Sequence, residues 1–175
     1  YLTSNKIIKY FLFAVSPFIH TSSLGLLALL FVSNRIKKMN LSKNKLIMIM
    51  AITGIGIGLG VTIFSQIINY ILNDGRLAGD YVRGGGSVLQ MLFFIILLSV
   101  QIFCNKDYVK ENLFVIGILF WYITMNPFIP WSYRMWSALI PLIGYSIWLL
   151  PIKKRQIILS LWAGNLFLWY MYWTV

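Results

Sequence analysis

His20, Arg76, Asp80, Tyr81, Arg83, Trp131 and Arg134 are the residues whose chemistry stands out in an otherwise apolar chain. His20 is the single histidine and lies within Ser16-Pro17-Phe18-Ile19-His20-Thr21-Ser22-Ser23, deep in an apolar run. An ionisable group in such a place faces a neighbouring helix or a cavity. It is either a neutral imidazole hydrogen-bonded to that helix, or a general base or ligand for a polar substrate. Arg134 ends the segment Pro127-Phe128-Ile129-Pro130-Trp131-Ser132-Tyr133-Arg134, which holds no acid. Its guanidinium is shaped for bidentate phosphate binding. Arg76 and Arg83 share a polar segment with Asp74 and Asp80. They either pair with those carboxylates or supply further cationic contacts. Asp80 is accordingly a base or a counter-charge. Tyr81 and Trp131 offer ring faces for stacking on a sugar, although Trp131 also fits an interfacial aromatic belt. A lone histidine without Cys, Asp or Glu nearby is a poor metal site. The single cysteine, Cys104, excludes an internal disulfide. No metal and no cofactor are expected.

Something must position these residues. The 175-residue chain is 59% hydrophobic and only 11% charged, against about 45–50% and about 25% in an ordinary domain. Its mean hydropathy is +0.79. These values predict an all-α polytopic transmembrane bundle in place of a soluble enzyme, a disordered tail or a disulfide scaffold. Six apolar segments are expected, at about 7–32, 46–72, 87–104, from 113, 135–152 and 156–175, with the first broken near Pro17. Gly54/Gly58 and Gly56/Gly60 form two small-xxx-small pairs in the second.

The chain carries fifteen Lys and Arg against four acids, and these basic residues lie between apolar runs. They read as orientation signals, not as a nucleic-acid surface. Ten basic residues fall in 33–45, 105–112 and 153–155, against three in 73–86 and 127–134. The first group is therefore expected in the cytoplasm, where it could also touch anionic lipid headgroups. All four acids lie in loops, which argues against a proton-coupled transporter. The chain opens on Tyr1 and reads as one transmembrane domain, residues 1–175, forming the C-terminal part of a larger protein.

Three features, taken in order, resemble the C-terminal half of the EpsG-type and Wzy-type bacterial polysaccharide polymerases. They are the polar break Phe18-Ile19-His20-Thr21-Ser22-Ser23, then Arg76-Leu77-Ala78-Gly79-Asp80-Tyr81 with its glycine run, and then Tyr133-Arg134-Met135-Trp136 before a last aromatic helix. The resemblance implies a multi-pass glycosyltransferase of the bacterial inner membrane. Such an enzyme polymerises undecaprenyl-diphosphate-linked oligosaccharides into O-antigen or exopolysaccharide. It implies that Arg134 and His20 are catalytic, and that Arg76, Arg83, Asp80, Tyr81 and Trp131 bind substrate. Membrane lipids, a chain-length regulator and a flippase of the same pathway are the implied companions, and no nucleic acid is. The alternatives are a lipid-linked oligosaccharide flippase or transporter and a membrane O-acyltransferase of surface polysaccharide.

Overall fold

The computed structural model describes residues 22–72, 88–127 and 132–174. Over these residues the chain is all-α. The helices are α1 (Ser22–Lys37), α2 (Lys43–Leu72), α3 (Val88–Ile102), α4 (Lys106–Glu111), α5 (Leu113–Met125), α6 (Ser132–Trp148) and α7 (Ile152–Thr174).

The core is built around α5. Its sequence, LFVIGILFWYITM, is apolar on every side, and a helix of that kind needs neighbours all round. It finds them in α1, α2, α3 and α6. Val115, Ile116, Ile118, Leu119, Trp121 and Met125 are all buried. From α6, Leu139, Ile143 and Ile147 recur every fourth residue and form a buried stripe. From α3 come Phe94 and Leu97, with the Phe94 ring edge-on to Tyr122 at 4.6 Å between centroids. Phe93 extends this aromatic contact to Trp162 of α7 at 6.4 Å.

The tightest seam lies between α2 and α5. A Cβ added at Gly54 would come within 2.5 Å of the Gly117 carbonyl oxygen, and one at Gly58 within 3.0 Å of the Trp121 carbonyl oxygen. Only glycine lets the two backbones approach so closely. Gly117 answers from α5, where an added Cβ would collide with Met50 and Leu29. Thus the Gly54/Gly58 pair packs as its spacing suggests. The Gly56/Gly60 pair meets nothing within 4 Å.

The six-span membrane bundle is not what forms. Among the described residues one helical stretch, Lys43–Ile63 with a mean hydropathy of 2.3, is long and apolar enough to cross a membrane. The other apolar helices, Gln90–Ile102, Leu113–Met125 and Leu139–Trp148, are shorter. A helix rises about 1.5 Å per residue and a bilayer's hydrocarbon layer is about 30 Å thick. Leu113–Met125 therefore reaches only about 20 Å, and its apolar residues meet protein on all sides. Composition alone reads such a core helix as a span. The expected multi-pass inner-membrane placement falls with the bundle.

Two boundaries also move. The polar stretch 105–112, expected as a loop, contains the short helix α4. Asn105 caps it by accepting a 2.9 Å hydrogen bond from the Tyr108 amide. The helix α1 continues through Arg35 to Lys37, past the expected end of the first apolar segment. The break near Pro17 lies outside the described residues.

Candidate functional site

None of the sequence-derived site residues has a described side chain. His20, Arg76, Asp80, Tyr81, Arg83 and Trp131 lie outside the described residues. Arg134 falls within the first turns of α6, but its side chain is outside them too.

The described chemistry gathers at the opposite set of loops. The C-terminus of α1, the N-terminus of α2, the C-terminus of α3, the whole of α4 and the α6–α7 turn form one basic end. Direct contacts tie them together. Lys37 meets Glu111 at 2.6 Å, the one ion pair among the described residues. The Lys106 ammonium reaches Asn40 Oδ1 at 3.5 Å. Arg155 donates to the Trp148 carbonyl at 3.0 Å and lies 4.5 Å from the centre of its indole. The same end carries Arg35, Lys38, Lys45, Lys110 and Lys153, so ten basic residues face only two acids, Asp107 and Glu111. The sequence-level grouping of these ten side chains is thereby realised as one surface.

At its centre is the end of α3. A helix leaves its last carbonyls without intrahelical donors, and the terminus carries partial negative charge. The last turn of α3 contains no basic residue. Two lysines from other helices replace it. The Lys43 ammonium donates to the Cys104 carbonyl at 3.2 Å, and the Lys154 ammonium donates to the Phe103 carbonyl at 3.1 Å. Lys154 also approaches Cys104 Sγ at 3.7 Å. The thiol is buried and donates to the Val100 carbonyl at 3.3 Å.

Just beneath lies a buried polar joint between α3, α4 and α6. Gln101 Nε2 donates to Ser146 Oγ at 2.9 Å, and Ser146 Oγ donates to the Ile143 carbonyl at 2.7 Å. The Tyr108 hydroxyl donates to the Ser146 carbonyl at 2.8 Å. Gln101 and Ser146 are fully buried. Burial pushes the Tyr108 phenol well above its ordinary range, the negative charge that Cys104 can carry adds to this, and the contact with Ser146 works against it. Tyr108 is thus held as a neutral donor. This joint fixes α4, and α4 presents Lys106, Lys110 and Glu111 at the surface.

A shallow groove opens beside the α3 terminus, lined by Lys43, Asn44, Ile47, Met48, Ile102 and Phe103. Its lining is mainly apolar, with Lys43 and Asn44 as its polar members. The reading that looked for diphosphate-binding arginines missed this end. Its signal is the ten-to-three division of basic residues, which reads as an orientation signal and as a contact for anionic headgroups.

Among the described residues no group of three or more His, Cys, Asp or Glu could hold a metal ion. No model of a known protein family matches the chain, and neither a curated protein nor a solved structure matches it. The resemblance to polysaccharide polymerases therefore gains no support from them. The polymerase, flippase and acyltransferase readings all needed several helices crossing the bilayer. The single stretch of sufficient length among the described residues overturns them.

Proposed function

We propose that the protein is a binding module that lies on a lipid bilayer, with the exposed apolar face of α2 against the acyl chains and its basic end at the headgroups of anionic lipids. The observation that carries this reading is the outer face of α2. Met48, Ile52, Ile55, Leu59 and Ile63 recur at helical spacing and are exposed, with Ile52 at 66%. Water does not favour such a row, whereas lipid does. The opposite face, with Gly54 and Gly58, packs on α5, so α2 offers lipid one face. Lys43 and Lys45 stand at its start, where the headgroups would be.

The basic end supplies the second half. Lysines and arginines near an anionic surface contribute about 1 kcal/mol each, and the attraction is screened by salt. Lys38, Lys45, Lys110 and Lys153 make no hydrogen bond or ion pair among the described residues, so they are available to a surface.

The test uses the full chain reconstituted with phosphatidylglycerol or phosphatidylcholine vesicles. The protein is expected to float with phosphatidylglycerol vesicles at low salt, to be released at high salt, and not to float with phosphatidylcholine. Equal flotation with the two lipids, or none with either, overturns the reading. Glu111→Gln, at a 63% exposed position, frees Lys37 and removes a negative charge. It is expected to tighten capture by phosphatidylglycerol vesicles about fivefold at low salt. The gain disappears at high salt.

A further inference from the structure

We infer that the groove between the start of α2 and the end of α3 holds a single anionic phospholipid, its phosphate at Lys43 and its acyl chain along Met48 and Phe103. This rests on the bilayer reading above and names the partner of the same basic end.

The groove has two chemically distinct parts. Its polar members are Lys43 and Asn44. Lys43 spends one N–H on the Cys104 carbonyl, and an ammonium has three. Lys154 stands next to it, on the neighbouring Phe103 carbonyl. The two ammonium groups are fixed before any ligand arrives, because the α3 terminus holds both. A phosphate placed there meets cations whose ordering cost is already met by the fold.

The floor and walls are apolar. Ile47 and Ile102 are partly buried against the core. Met48 is 55% exposed and Phe103 is 77% exposed. Phe103 is the most exposed large apolar side chain among the described residues. It stands beside lysines, in a place where a free phenyl ring gains nothing from water. Met48 also begins the exposed row Ile52, Ile55, Leu59 on the outer face of α2. A ligand that fits must carry negative charge at one end and a long apolar tail leading from it. A phospholipid with an anionic headgroup has that form. Free phosphate satisfies only the lysine, and an uncharged lipid only the apolar lining.

The test is native mass spectrometry of the full chain in mild detergent, with phosphatidylglycerol or phosphatidylcholine added in turn. One phosphatidylglycerol is expected to stay bound where phosphatidylcholine is lost. Met48→Glu and Phe103→Glu alter exposed positions and place a carboxylate in the groove. Each is expected to weaken retention about tenfold. Lys153→Gln with Arg155→Gln, outside the groove, is expected to leave it unchanged. Inorganic phosphate in excess is expected not to displace the lipid. Equal retention of the two lipids overturns the site, as does equal weakening by the groove and outer variants, which would mean a diffuse basic surface. Displacement by phosphate alone overturns the acyl-chain part. In each of these cases salt-sensitive flotation with phosphatidylglycerol vesicles persists, so failure of the groove is distinguishable from failure of the bilayer reading.

Discussion

Lys43 and Lys154 come from different helices and place their ammonium groups on the neighbouring carbonyls of Cys104 and Phe103, at 3.2 and 3.1 Å. The end of α3 is thereby capped by the starts of α2 and α7. A cation near a helix C-terminus contributes about 0.3–1 kcal/mol. Lys43→Met and Lys154→Met are each expected to lower stability by about that amount, measured by denaturant unfolding in detergent. The double variant is expected to cost more than the two single losses added, because one remaining ammonium still serves the terminus. Simple additivity would show that the two lysines act independently.

The α2–α5 seam predicts a contrast within one helix. Gly54→Ala forces a methyl group against the Gly117 carbonyl and is expected to cost about 1–3 kcal/mol. Gly56→Ala meets open space and is expected to stabilise by about 0.5–1 kcal/mol through helix propensity. Thermal unfolding of the two variants side by side checks this. Equal effects would mean that α2 is rotated relative to α5.

Tyr108 gives a pH prediction with a definite sign. Its folded-state phenol is raised above the ordinary value of 10.0. Neutral Tyr108 therefore contributes stability that is fully present below about pH 10 and is lost as pH rises above it. The limiting slope is about 1.4 kcal/mol per pH unit. Tyr108→Phe is expected to cost about 1 kcal/mol at neutral pH, since the Ser146 carbonyl loses its donor. The variant is also expected to show a shallower loss of stability in alkali. An unchanged alkaline slope would mean that the phenol is solvated.

The glycines show what could be read from the sequence and what could not. Spacing identifies Gly54/Gly58 and Gly56/Gly60 equally well. The two pairs lie two residues apart, about 200° round the helix, so both cannot face one neighbour. The sequence carries no reference direction for choosing between them. Length against apolarity is the second case. Leu113–Met125 is as apolar as a span and too short to be one, and Asn112, at which it begins, makes no side-chain cap that the sequence could signal. The clustering of ten basic residues at one end was legible, because short connections force successive helices to alternate direction. Their partners were not. The carbonyls that receive Lys43 and Lys154 lie far along the chain, and no periodicity points to them. His20, Arg76, Arg83 and Arg134 fall outside the described side chains, so the structure neither gathers nor separates them.

Cys104 turns the basic end into its own reporter. It is the sole thiol of the chain and is only 5% exposed, covered where α2, α3 and α7 meet. A thiol reagent can reach it only when that junction comes apart. The rate at which the native protein is alkylated therefore measures how often the lysine clasp opens, without any engineered probe. Anything that holds the clasp shut, an anionic lipid included, should slow the reaction in proportion.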